Sequence, residues 1–404
     1  MNTKQTEIGE IPGDWEVVKL GEILTPSNER INPLYQFSDF CIELEHIQSN
    51  LGMLSGSTQT SKSSSLKNVF KKYDVLFGKL RAYLRKFWFA QKDGVCSTEI
   101  WVLKTNLKKA VPNFSYYIVQ SDNFIEAASE SYGTHMPRSE WKTVKELTIP
   151  LPPLPEQTAI AAILSDTDRL FAALRALISK KRAVKTAAMQ QLLSGRLRLP
   201  GFASNDRMKN SELGEIPEDW EVVKLGEIAN INMGQSPNSS NYNKSGDGLP
   251  LLQGNADIAN RKAIIRNYTT QITKVADSGD ILLSVRAPVG AVAKTDFECC
   301  IGRGLCSIKF PNEYLYQYLI FFENQWEQYS KGSTFDSINS NELKEILLPI
   351  PKSKPEQTAI AQTLSDMDSE ITALEARAAK LAQIKQGLMQ NLLTGKIRVN
   401  TGAA

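Results

Sequence analysis

EIPGDWEVVKLGEI at Glu10 to Ile23 returns as EIPEDWEVVKLGEI at Glu215 to Ile228, and PEQTAIAAILSDTD at Pro155 to Asp168 returns as PEQTAIAQTLSDMD at Pro355 to Asp368. Near-identical borders enclose two unlike interiors. A large internal period of this kind marks one scaffold used twice, here to hold two different reading heads. The divergent interiors are then the parts that choose a target.

At 404 residues the chain is too long for one typical core and suits two domains with connecting elements. The net charge is only +3, but Lys67, Lys71, Lys72, Lys79, Arg81, Arg85, Lys86 and Lys92 crowd the first interior against Asp74 and Asp93. That imbalance favours a polyanionic partner. Cys41, Cys96, Cys299, Cys300 and Cys306 have no CxxC spacing, and no secretory or long apolar segment precedes them. The pattern is that of a reduced, cytoplasmic protein without membrane association.

The chain divides as follows: an N-terminal docking segment (1–23), a first module (24–154), a first long helix (155–196), a linker with a second docking segment (197–228), a second module (229–354), a second long helix (355–396) and a tail (397–404). Short β-branched and aromatic runs such as YDVLF and STEIWVL, with a helical stretch near FSYYIVQSDNFIEAA, predict an α/β (α+β) module. The cluster Pro150, Pro152, Pro153 and Pro155 ends it. No proline or glycine then interrupts the chain from Pro155 to Gly195, and Pro355 to Gly395 repeats the pattern, so each module is followed by a helix of about 60 Å.

The apolar residues of both helices follow heptads. In the second, Ile360, Met367, Leu374, Leu381 and Leu388 form one row and Leu364, Ile371, Ala378 and Leu392 the other. In the first, Ile160, Leu174 and Ala188 face Leu164, Phe171, Ile178 and Leu192, with Thr167 and Lys181 interrupting. The matching endings LLSGRLRL and LLTGKIRV place a capping glycine after each helix. Two imperfect seams can pair with each other, and a pseudo-twofold axis would lay them antiparallel as a coiled coil. The alternative is two helices each packed on its own module. Under the twofold, the first docking segment sits beside the end of the second helix. A DNA reader built this way would meet two unlike half-sites separated by unread base pairs.

The chain resembles, over essentially its whole length, the specificity subunit of type I restriction-modification enzymes. LPPLPEQTAIAAIL and IPKSKPEQTAIAQTL are similar to the PxPPLxEQ-like phrase that opens the conserved helices of that family. The second departs from it at Lys352, Ser353 and Lys354. The resemblance implies a non-catalytic subunit that binds double-stranded DNA at a bipartite asymmetric site, one target-recognition domain per half-site. It implies assembly with two modification subunits, which carry S-adenosylmethionine and methylate adenine, and with restriction subunits, which use ATP and Mg to translocate and cut; no cofactor would be bound by this chain. The competing classes are a coiled-coil scaffold without DNA readout and a fused methyltransferase. Against the latter, only Asn32-Pro33-Leu34-Tyr35 approaches an Asn/Asp-Pro-Pro-aromatic loop, and no glycine-rich cofactor turn accompanies it. There is no GxxxxGK[ST] loop, and the cysteines with His46 and His135 lack zinc-finger spacing.

Candidate DNA contacts cluster in three places. Lys79, Arg81, Tyr83 and Arg85 alternate and could share one strand face, with Lys86 following; Arg286 aligns with Arg81. Thr134, His135 and Arg138 in the first module face Ser333, Thr334 and Asn339 in the second, where glycine followed by hydroxyls can offer NH groups to phosphate. Gln235, Ser236 and Tyr242 open the second module with amide, hydroxyl and ring groups, and Arg303 lies between Gly302 and Gly304. Base reading, phosphate contact and a solvated edge-strand charge remain open for each. Trp15 and Trp220 are too alike to read different sequences, and either pack in the core or seat a partner.

Overall fold

The computed structural model describes residues 2–60, 65–130, 137–202, 207–323, 325–326 and 337–399. It falls into two units, Met1–Arg175 with Ala376–Ala404, and Ala176–Glu375.

In the first unit the run YDVLF becomes strand Val75–Gly78, with all four residues buried. It pairs antiparallel with Ile100–Thr105, Ile100 opposite Gly78 and Leu103 opposite Val75. Leu24–Pro26 and Phe87–Phe89 complete a four-stranded sheet. The strand is apolar throughout because both faces of the sheet are covered, and the pleat sends alternate residues to different cores. Val75, Phe77, Phe87 and Leu103 pack with Phe114 and Phe124 of helices Pro112–Gln120 and Asp122–Ser129. Leu76, Trp88, Ile100 and Val102 instead meet Ile42, Phe70 and Cys96, which belong to a second four-stranded sheet of Arg30–Ile31, Lys67–Phe70, Gly94–Ser97 and Cys41–Ile42. Ser121 separates the two helices and caps the second, its Oγ accepting from Phe124 N at 3.3 Å.

The second unit repeats this plan with different lengths. Ile281–Ser284 lies inside a six-stranded sheet between Leu305–Lys309 and Val292–Lys294. Ile281 and Leu283 pack towards helix Tyr314–Phe322, while Leu282 packs with Leu252, Ala293 and Ile301 towards a five-stranded sheet. All five cysteines are buried in these cores. Burial pushes the Cys41 thiol up to about 11 and those of Cys299 and Cys306 to about 12. Thiolate is the reactive form, so iodoacetamide at neutral pH is expected to leave the native chain unmodified and to alkylate the guanidinium-unfolded chain fully, as mass spectrometry would register.

The two long helices are Leu154–Leu192 and Lys354–Leu392, each of 39 residues. Gly195 and Gly395 follow them at φ 71° and 74°, the left-handed conformation expected after a helix end. A Cβ at Gly395 would also lie 2.5 Å from Pro12 Cδ, and one at Gly195 2.5 Å from Pro217 Cδ. The seam residues Ile160, Leu164, Ile178, Ile360, Leu364, Ile371 and Leu374 are buried; Phe171, Leu174, Leu381 and Leu388 are half-buried. In the first unit Asp168 meets Lys385 at 2.6 Å. In the second, Lys181 meets Glu370 at 2.7 Å, Arg182 meets Glu375 at 2.5 Å and Lys185 meets Asp368 at 2.5 Å.

The docking segments are structural. Glu16–Lys19 pairs antiparallel with Thr148–Leu151, and Trp220–Lys224 with Leu347–Pro351, so each module is closed by pairing its entry with its exit. Trp15 and Trp220 are fully buried. In the first unit the Arg398 guanidinium donates to Glu156 at 2.7 and 2.8 Å and to Asp14 at 2.9 and 2.8 Å. In the second, Arg198 does the same to Glu356 at 2.6 and 2.8 Å and to Asp219 at 2.8 and 2.9 Å. The first docking segment thus sits beside the end of the second long helix, as the repeat predicted, and Trp15 is core rather than a partner contact.

Candidate nucleic-acid interface

In the second unit the site is built where strand Ile281–Ser284 runs past its sheet. Val285 N donates to Gly304 O at 2.9 Å, which sets Arg286 beside the Gly302-Arg303-Gly304 turn. Ser236 Oγ accepts from Arg303 N at 3.1 Å, Gly234 N donates to Leu305 O at 2.9 Å and Gln235 N to Ile301 O at 2.9 Å. Gln235, Ser236, Arg303 and Arg286 therefore form one ledge, with Gln253 and Ser337 at its margins: Gly304 N donates to Gln253 O at 3.1 Å and Arg286 bridges Ser337. The glycines exist for this close packing. A Cβ on Gly304 would collide with Gln253 O, and one on Gly234 with Gly302 O. Gln235, Arg286 and Arg303 are exposed, and among the described residues the carboxylate-paired arginines of this module are Arg261 and Arg266 instead. Two exposed guanidiniums beside an amide and a hydroxyl can meet phosphate and guanine or adenine edges.

The first unit builds the same edge with other side chains. Lys79 N donates to Glu99 O at 2.9 Å and Leu80 bridges Arg138. The shared bridge makes Leu80, not Arg81, the counterpart of Arg286. The expected alternation of Lys79, Arg81, Tyr83 and Arg85 on one strand face is corrected: the strand ends at Gly78, Ala82–Leu84 form a 3-10 turn, and Arg81 and Arg85 sit at φ 54° and 50°. The stretch is the connection of a hairpin, because Phe77 already pairs with Phe87. Arg81 and Tyr83 are exposed on it, but Arg85 is held by Asp122 at 2.5 Å and Lys86 by Leu44 O at 2.5 Å.

Much of the basic excess read from the sequence is neutralised locally. Lys67 is buried against Glu43 at 2.8 Å and Lys71 meets Asp93 at 3.3 Å. Arg138 donates to both Glu99 oxygens at 3.0 and 3.2 Å, a contact that raises its pKa further. Asn339 caps helix Ser340–Lys344, its Oδ1 accepting from Asn341 N and Glu342 N at 2.9 and 3.1 Å. Tyr242 donates its hydroxyl to Pro237 O at 3.0 Å. Thr134, His135, Ser333 and Thr334 lie outside the described residues. Sequence reasoning missed Gln253 and Ser337; the spacing of Gly302 and Gly304 was the signal that a neighbouring backbone approaches there. No group of three potential metal ligands occurs among the described residues, and no described helix is long and apolar enough to cross a membrane.

Residues 12–181 and 217–386 each match the type I restriction modification DNA specificity domain. A Methanocaldococcus jannaschii protein assigned to the MjaX type I restriction enzyme as its specificity subunit is 35% identical, with 99% of this chain and 97% of that protein covered. The type I restriction enzyme MjaVIII specificity subunit of the same organism is 26% identical, covering 98% and 96%. A solved chain from a study of complex assembly and conformational transition of the type I R-M system is 28% identical with a TM-score of 0.60, covering 96% of this chain and 99% of that one. The type I restriction-modification S subunit from M. genitalium shares the fold at 17% identity and a TM-score of 0.61, covering 97% and 99%. Two matched domains and relatives similar from end to end make the chain a member of the type I restriction-modification specificity-subunit family, the subunit that supplies DNA sequence specificity.

Proposed function

We propose that this chain reads a bipartite, asymmetric DNA site, one module per half-site, and directs adenine methylation or restriction by partner subunits without a catalytic centre of its own. One observation carries the reading: two modules of one plan present the same edge with different side chains, Gln235, Ser236, Arg286 and Arg303 in the second against Lys79, Leu80, Arg81 and Arg138 in the first. Equal scaffolds with unequal edges are what two unlike half-sites require.

The two long helices are taken to pair as an antiparallel coiled coil that fixes the gap. Supporting this, partner numbers fall as the other helix's numbers rise: Lys181 meets Glu370 and Lys185 meets Asp368 in the second unit. Ile163 and Leu170 in the first unit and Leu177 and Val184 in the second are exposed at seven-residue spacing on the first helix. They are suited to seat two modification subunits, which would carry S-adenosylmethionine; restriction subunits would bring ATP and Mg. The assembly would work in the cytoplasm.

Phosphate contacts predict salt dependence. Binding of the complex with its modification subunits to duplex DNA is expected to weaken with a log–log slope of about −4 to −8. Filter binding from low to high salt measures it. A flat profile would favour the coiled-coil scaffold.

A further inference from the structure

We propose that the turn Asn32–Asp39 of the first module is an apolar wedge that enters DNA at one half-site and unstacks a base step; this rests on the specificity reading above. Leu34, Tyr35 and Phe37 are 67%, 84% and 63% exposed, three large apolar side chains within four residues. Folding gains nothing from such an arrangement, and a concentrated apolar patch marks a binding surface. The turn is also built to hold its shape. Asn32 Oδ1 accepts from Leu34 N at 3.0 Å, and Asn32 O accepts from the N–H groups of Tyr35 and Gln36 at 3.0 Å each. Pro33 is buried beneath it. At the exit Ser38 N donates to Oγ1 of the fully buried Thr60 at 2.8 Å. A projection fixed before contact loses little entropy on insertion.

Its base adjoins the candidate interface. Arg30 Nε donates to Asn68 Oδ1 at 3.2 Å and Asn68 Nδ2 to Ile100 O at 2.9 Å. Ile100 follows Glu99, the residue that accepts from Lys79 N and from Arg138. That continuity with a DNA-facing edge favours DNA over protein as the occupant. Leucine and phenylalanine are side chains that other proteins insert between base steps, and rings stack on unstacked bases. Among the described residues the second module has no such cluster: Ile264, Ile265 and Ile272 are 37%, 40% and 53% exposed, and its ledge runs into the polar stretch Pro237–Asn243, where Tyr242 is tied down by Pro237 O. The wedge therefore acts on one half-site only.

The test uses the full chain in complex with its modification subunits, on duplexes carrying the motif found by methylation mapping, with 2-aminopurine placed in turn at each position of both half-sites. A severalfold fluorescence rise is expected at a step of one half-site, beyond any signal from the methylated adenines. It should vanish in Leu34→Ser/Tyr35→Ser/Phe37→Ser, persist in Tyr35→Trp, and leave the other half-site unchanged. Equal fluorescence in wild type and triple variant would overturn the wedge while leaving the specificity reading intact. So would loss of modification-subunit binding by a folded triple variant, which would make the turn a protein contact. Failure of the wild-type complex to methylate any motif would remove the specificity reading, and the wedge with it.

Discussion

Glu156→Ala is expected to destabilise the first unit by about 3–5 kcal/mol. Glu156 is only 3% exposed and accepts from Arg398 at 2.7 and 2.8 Å and from Trp15 Nε1 at 2.9 Å. Truncation leaves a guanidinium with half its partners and an indole N–H with none, inside a core that holds Ile11, Trp15 and Leu393 together. Breaking one side of a buried ion pair is the costly case, unlike exchanging the pair for apolar groups. Glu356→Ala removes the same support from Arg198, but Trp220 Nε1 has no partner to lose among the described residues, so its effect should be the smaller. Urea unfolding of both variants checks the order. Arg398 also holds the Asp14 carboxyl below its ordinary range. That contribution is present above the ordinary carboxylate pKa and is lost as pH falls through the depressed one.

The second large effect is functional. Arg286→Ala and Arg303→Ala should each cost about 1–3 kcal/mol of binding if they contact base edges, a loss of roughly 5- to 150-fold. Both guanidiniums are exposed and lack a carboxylate partner among the described residues, so truncation breaks no described ion pair. Arg138→Ala should matter less, because Glu99 already neutralises that side chain. The manner of loss separates roles. A base-reading arginine relaxes specificity at one position, whereas a phosphate contact weakens all sequences alike and lowers the salt slope by about one. Methylation rates on a library of single-base variants of the site distinguish the two.

The architecture was legible because it rests on repetition and periodicity. Matching borders at Trp15 and Trp220, a stretch free of proline and glycine between Pro155 and Gly195, and the run YDVLF each express a local rule that tertiary context did not overturn. The edge of the first module was not legible. Alternating Lys79, Arg81, Tyr83 and Arg85 read as a strand, yet Phe77 already pairs with Phe87, and the intervening residues must turn. Register is set by the partner strand, which a one-strand pattern does not contain. Likewise nothing near Arg85 or Arg138 in sequence announces Asp122 or Glu99 as its partner. Gln235, Ser236 and Arg303 stood out in the sequence only by their side-chain chemistry; that they share one ledge with Arg286 depends on the close packing of Gly234 and Gly304, which only the fold supplies.

Long-read methylation mapping of a methylation-free host expressing this chain with its modification subunit puts bipartite reading to the test. A split motif of two unlike half-sites at a fixed gap, each methylated on adenine, is expected. A soluble complex that adds no methylation, or a single continuous motif, would contradict it.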